Sequence, residues 1–378
     1  MRMTQHANIE VIPSGRVNAG MPVLHQPKRV ISPFEFLPTW FFYTPVVIQS
    51  AALSLAHRDW ALPLIANPAI KLSGMVGESK HDIFASAGEQ TKRWILPFVT
   101  LTKTPLPCAK LVEEAKHQLA GLGLGYPLVA KPDLGCRGVG VKLIRNDKQL
   151  HDYIETFPQG GRFLLQQKSS YQAEAGVFYV RQPGETRGKI ISITLKYSPY
   201  VVGDGKSTLK QLIEQCPRAG KLQHLYLPRH SHQLEQVIEN KDEFQLAFAG
   251  SHSRGAIFRD GNRFITEQLE RKLDLVLGDF DGFHYGRLDI KFRDIHALMQ
   301  GEHFDILEIN GASSEAAHIW DSDTPLSHIF ATLLKQYRLL YQIGSKHKKQ
   351  GIGSPSLGTL LSAWREEKLL TQQYPMTD

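Results

Sequence analysis

The chain has 378 residues, 42% of them hydrophobic and 21% charged, with a formal net charge of +7. These proportions exclude fibrous and disordered classes, and the length calls for two or three packed units, each able to bury its own core. Cys108, Cys136 and Cys216 lie far apart without Cys-x-x-Cys spacing, so neither a disulfide framework nor a zinc site is expected and a reducing cytoplasm is the simplest home.

The first fifteen residues, "MRMTQHANIEVIPSG", contain no apolar h-region, so secretion is not expected. The positive balance favours anionic partners, but no aromatic and arginine interleaving marks a nucleic-acid surface, and none is expected. Its densest cluster is "SKHKKQ", Ser345 to Gln350.

Residues 1–75 form an atypical N-terminal unit in which apolar runs alternate with prolines. Within it, "FLPTWFFYTPVVIQSAALSLA", Phe36 to Ala56, carries no charge and is about as long as a bilayer span. Pro38, Pro45, Gln49 and Ser50 would be costly at bilayer depth, which leaves a buried core helix, a helix lying on a membrane surface and a true span as readings. Trp40, Phe41, Phe42 and Tyr43 suit an interface belt and a core equally.

From residue 76 to about 345 the texture is α/β. "LVEEAKHQLAGLG" has helical spacing, "YPLVAKP", "GVGVKLI" and "RFLLQQ" read as strands, and "DKQLHDYIETF" is a helix between the last two. "EQLERKLDLVLGDF" is helical, "GRLDIKF" and "FDILEIN" are strands, and "PLSHIFATLLKQYRLLYQIGSKHK" is a long amphipathic helix. Residues 346–378 read as a basic linker and a C-terminal amphipathic helix opened by a Ser/Pro start signal.

"VVGDGKST", Val201 to Thr208, ends like a P-loop, yet the glycine that such a loop needs five positions before Gly205 is Tyr200. A Gly-Asp-Gly turn followed by a Ser/Thr helix cap accounts for the same letters. The P-loop alternative makes Lys206 a phosphate ligand.

Two other stretches carry chemistry. In "PLVAKPDLGCRGVGVKLI", Lys131 ends a buried strand and so calls for an anionic partner. Gly135, Gly138 and Gly140 follow it and allow a loop to fold over a ligand, with Arg137 adding a charge suited to phosphate; a plain hairpin turn is the competing reading. In "GRLDIKF", Arg287 and Asp289 share a strand face, as do Glu308 and Asn310 in "FDILEIN". If the strands are neighbours, Asp289, Glu308 and Asn310 converge as three oxygen donors for a hard cation, with Leu288, Ile290, Leu307 and Ile309 burying the opposite face.

This order, Lys131, glycine loop, "RLD", "LEIN", resembles the ATP-grasp ligases, among them D-alanine–D-alanine ligase and the ATP-grasp domains of cyanophycin and glutathione synthetases. The resemblance runs from about Gly77 to Gln342 and takes in "VVGDGKSTLKQLI", which is similar to a "VVGDG-x-STI" stretch of that group. It implies two α+β subdomains clasping ATP, with magnesium or manganese on Asp289, Glu308 and Asn310. It implies that Lys80, Lys131 and Lys196 contact nucleotide phosphates, that Gly135 to Gly140 cover the triphosphate, and that Arg287 stabilises the intermediate. Lys196 thereby also takes a catalytic part.

Where the family carries two acidic residues at the adenine strand, this chain has Gln166 and Gln167, with Glu174 as a substitute carboxylate; where the family ends "EIN-x-x-PG", it has "EINGASSE". The implied activity is ATP-dependent joining of a small carboxylate, such as an amino acid or peptide, to an amine through an acylphosphate. A non-catalytic nucleotide-binding or membrane-surface module, with peripheral contact through residues 36–56, is the alternative. A homodimer is compatible with either. His252 and Arg254 are candidates for a substrate-facing loop, and His318 for substrate contact or plain packing.

Overall fold

A computed structural model describes residues 9–24, 29–30, 32, 38–135, 138–375 and 377. Its strands are β1 (Phe98–Thr102), β2 (Leu128–Pro132), β3 (Lys142–Ile144), β4 (Arg162–Gln167), β5 (Ala173–Val180), β6 (Lys189–Tyr197), β7 (Tyr200–Val202), β8 (Glu243–Gln245), β9 (Ile257–Asp260), β10 (Tyr285–Phe292) and β11 (Phe304–Asn310). The helices are α1 (Thr39–His57), α2 (Lys80–Ser86), α3 (Glu89–Lys92), α4 (Cys108–Gly121), α5 (Asp147–Thr156), α6 (Leu209–Gln215), α7 (Gln223–Arg229), α8 (Glu267–Val276), α9 (Ile295–Gln300), α10 (Leu326–Lys349) and α11 (Leu357–Thr371). The α/β expectation holds.

All strand pairs are antiparallel. One four-stranded sheet runs β1-β4-β2-β3, a five-stranded sheet runs β11-β10-β5-β6-β9, and β7 pairs with β8. Helices α4 and α5 pack their apolar stripes (Leu111, Ala115, Leu150, Ile154) on the first sheet. α8 and α9 do the same on the second, where Leu269, Leu273 and Leu298 meet Val177, Leu288 and Ile290. Antiparallel sheets with one face covered by helices leave the other face free to line a cleft.

The turn-and-cap reading of "VVGDGKST" is the one the fold adopts. Asp204 accepts the N–H groups of Lys206 and Ser207 at 2.8 and 2.6 Å, and Thr208 forms a reciprocal capping box with Gln211 at the start of α6. Lys206 is exposed and does not line the cavity between the two large sheets, which removes the P-loop reading.

α1 corrects the core-helix expectation for residues 36–56, of which 36 and 37 lie outside the described residues. Phe42 and Val46 pack against Ile329 and Leu333 of α10, but Trp40 is 70% and Leu55 80% exposed on the other side. Among the described residues no helix is long and apolar enough to cross a membrane. Lys346 to Lys349 form the last turn of α10, where cations meet the negative end of the helix dipole, so the basic cluster is a helix end and not a linker.

Leu62 and Ile65 pack on Tyr341 of α10, and Ala66 packs on the second sheet with Phe178, Val180 and Tyr285. Asn67 is fully buried, donates to the Tyr285 carbonyl at 2.7 Å and accepts the N–H groups of His284 and Tyr285. Nearby, His347 of α10 donates through Nδ1 to the Ile65 carbonyl at 2.8 Å, and its ring lies 4.7 Å from that of His284. Burial lowers both imidazoles, His284 to about 4. The unfolded chain therefore takes up protons near the ordinary histidine pKa that the native state refuses, and stability falls as pH drops from about 6.5 towards 4. The urea midpoint is expected to be lower at pH 5 than at pH 7, and the paired replacement His284→Gln and His347→Gln to flatten that slope.

Candidate active site

The two sheets face one another across a cavity of about 730 Å³. Lys131 enters it from the end of β2. Its side chain is 6% exposed, and its ammonium donates to Gln166 Oε1 on β4 and to the Leu307 carbonyl on β11, both at 2.8 Å. The second contact depends on a β-bulge: Asp289 pairs with Glu308 but Ile290 with Ile306, so Leu307 is the extra residue. This corrects the expectation that Leu307 buries the far face; it is half-buried and lines the cavity, while Ile306 is fully buried in the core. Burial lowers the Lys131 ammonium to about 8, a cost that an arriving polyanion would offset.

The register of β10 and β11 sets Asp289 opposite Glu308 and Arg287 opposite Asn310, so the four side chains share one face, as the alternation required. Arg287 grips Asp289 with Nε at 2.8 Å and Nη2 at 3.2 Å, and Lys196 of β6 reaches the same carboxylate at 2.9 Å. Burial alone would raise the Asp289 carboxyl, but Arg287 and Lys196 outweigh it and hold the group at about 2. Burial likewise works against the Arg287 guanidinium, and Asp289 reverses it. Lys196 also contacts Glu174 at 3.3 Å, and Glu174 contacts Lys291 at 3.3 Å.

Lys80 stands at the first turn of α2, capped by Ser79. Its ammonium is 3.2 Å from Glu308 and 2.8 Å from the Gly135 carbonyl; burial opposes its charge, and Glu308 more than restores it. Asn310 is buried, and its side-chain amide nitrogen has no hydrogen-bond partner among the described residues. The carboxylates of Asp289 and Glu308 and the amide oxygen of Asn310 form a hard oxygen donor set that fits magnesium or manganese, while the amide nitrogen of Asn310 can only donate a hydrogen bond.

Gly135 and Gly138 line the cavity, whereas Gly140 lies behind it against Pro132, which a Cβ there would meet at 2.7 Å. Arg137 falls outside the described residues. The loop backbone is held by the C-terminal tail: Thr377 Oγ1 donates to the Gly138 carbonyl at 2.7 Å and accepts the Gly140 N–H at 3.0 Å, while Tyr374 stacks on Phe157. Gln166, Gln167 and Glu174 all line the cavity. So does His252, stacked on Trp320 at 5.1 Å, but Arg254 does not. His318 is buried behind the wall, bonded to Ser192, which is the packing reading.

Several residues that build the site escaped the sequence reading. Asp133 ties α2 to β2 by accepting from Ser79, the His81 N–H and Arg162. Glu78 accepts the Gly311 N–H, and burial raises its carboxyl to about 8. Both lie within two residues of a lysine already singled out, and that proximity was the available signal. The "GASSE" turn is held by residues 73 and 74: Ala312 and Ser313 donate to the Ser73 and Gly74 carbonyls at 2.8 and 3.0 Å.

No family model matches the chain, and no curated protein does. Among solved structures it is similar to D-alanine–D-alanine ligase from Bacillus anthracis, at 12% identity and a TM-score of 0.39, over 75% of this chain and 72% of that one. It is similar to a bifunctional glutathione synthetase from Pasteurella multocida at 14% identity and a TM-score of 0.34, over 68% of this chain and 35% of that one. A D-cycloserine synthetase follows at 12% identity and a TM-score of 0.35, over 69% of this chain and 70% of that one. The chain thus spans about a third of the glutathione synthetase.

Proposed function

We propose that the chain is an ATP-dependent carboxylate–amine ligase of the ATP-grasp kind, with residues 76–345 as its nucleotide-clasping body. The observation that carries this reading is one cavity holding Lys80, Lys131 and Lys196 together with Asp289, Glu308 and Asn310. Three cations from different elements suit a triphosphate, and the adjacent donor set suits its metal.

Lys131 and Lys80 bind and orient the phosphates, and Gln166 and Gln167 offer amide groups to the nucleoside. Arg287 favours the charge that grows on the carboxylate and phosphoryl oxygens during transfer. A magnesium or manganese ion on Asp289, Glu308 and Asn310, when bound, shields the phosphate charge. The glycine loop excludes water, which would hydrolyse an acylphosphate before an amine reached it.

The test is to incubate the protein with Mg-ATP and pooled amino acids and small acids and to read ADP and condensed products by mass spectrometry. A condensed product appearing with ADP, and lost on chelation of the metal, is the expected result. Tight ATP binding without ADP across the panel would favour the non-catalytic module, for which the exposed Trp40 and Leu55 of α1 are the supporting observation.

A further inference from the structure

One end of the cavity forms a chamber lined largely by apolar groups. Its wall comprises Phe42 and Tyr43 of α1, Phe258 of β9, Trp320 beyond β11, and Ile329 and Leu333 of α10. Phe42 and Trp320 meet edge to face at 5.7 Å, and Phe42 belongs to one buried cluster with Ile329 and Leu333. Apolar walls at this end contrast with the lysines and glutamines at the other.

Glu315 stands at the chamber's mouth. Trp320 Nε1 donates to its carboxylate at 2.9 Å and the Tyr43 hydroxyl donates to the other oxygen, while Arg287 donates to its backbone carbonyl at 3.3 Å. No described cation forms an ion pair with it. Two neutral donors thus fix the direction of a carboxylate within one residue's reach of the guanidinium beside the metal ligands.

We propose that the carboxylate substrate is an α-amino acid with a large apolar side chain. Its carboxylate lies against Arg287, its ammonium on Glu315, and its side chain in the chamber. This assignment rests on the ligase reading. Each methylene that a tight apolar pocket accommodates is worth about 10–200-fold in discrimination, so the chamber sets specificity over several atoms. Hydroxylamine can stand in for the unidentified amine. A carboxylate oxygen attacks the γ-phosphorus and the bond to the β–γ bridging oxygen breaks, its electron pair leaving on ADP. The hydroxylamine nitrogen then displaces phosphate from the acyl carbon and loses a proton, giving a hydroxamate.

The full chain is assayed with Mg-ATP and hydroxylamine against phenylalanine, leucine and alanine as both enantiomers, aspartate, and 3-phenylpropionate. Phenylalanine and leucine are expected to exceed alanine and aspartate in kcat/KM by at least about tenfold. Glu315→Gln is expected to raise KM for phenylalanine about tenfold, with a smaller effect on 3-phenylpropionate, which lacks the ammonium. Ile329→Phe, which fills the chamber, should lower turnover of phenylalanine more than that of alanine. If that variant does not fold, Trp320→Phe keeps a ring and loses the N–H to Glu315, and should raise KM for phenylalanine more than for 3-phenylpropionate. Alanine or aspartate turned over as well as phenylalanine would overturn the chamber assignment and leave the ligase intact. Nucleotide binding without ADP from any acid would overturn both.

Discussion

Lys131→Met is expected to lower substrate-dependent ADP formation by about 10²–10³-fold, the usual effect of deleting one electrostatic donor from a transition-state site. The protein should remain folded, with a urea midpoint close to that of the unaltered chain. The reason is that the ammonium is buried and its charge is disfavoured there, as its lowering to about 8 records, so methionine removes a desolvated cation of similar shape. Loss of its two charge-assisted hydrogen bonds, about 1.5–3 kcal/mol each, works the other way and offsets that gain. Full ADP formation by a folded Lys131→Met variant would remove the ligase assignment.

Asp133→Ala is expected to damage stability and activity together. Its carboxylate is 1% exposed and accepts from Ser79 Oγ, the His81 N–H and Arg162, which approaches within 2.6 Å. Removing it strands those donors between α2 and β2. A wholly buried pair broken on one side costs about 3–5 kcal/mol; because the Arg162 side chain is 37% exposed and can rehydrate, roughly 2–3 kcal/mol is expected here. The same change frees the first turn of α2, where Ser79 Oγ and the His81 N–H lose the carboxylate that accepts them at 3.0 and 2.8 Å, so KM for nucleotide should rise. Denaturant melts and ADP assays measure the two effects; an unchanged midpoint would mean that Asp133 does not anchor α2.

How much of the site was legible followed from how local its logic is. Arg287, Asp289, Glu308 and Asn310 could be set on common strand faces from alternation alone, because a strand's period is two whatever it packs against. Lys131 could be read as needing an anion, since a cation ending an apolar strand is costly in any fold. The Leu307 bulge could not be read, because an extra residue leaves the hydrophobic pattern intact and shows only in the partner's register. Nor could the division of α1 into a packed and an exposed side, since an all-apolar run carries no stripe to choose between them.

By itself, then, the order of residues determined β2, β3, β4, β10 and β11, the helices α4, α5, α8, α10 and α11, the turn chemistry of Gly203 to Thr208 and the cluster of charged groups with a shared purpose. These depend on interactions within a few positions. Only the tertiary structure decided what encloses that cluster: Ser73 and Gly74 holding the turn after Asn310, Thr377 bonded to the glycine loop, and α1 bringing Tyr43 to Glu315 across 272 positions. Contacts between distant segments are selected by which buried polar groups find partners and which surfaces fill the space, and those conditions exist only once the chain has closed on itself.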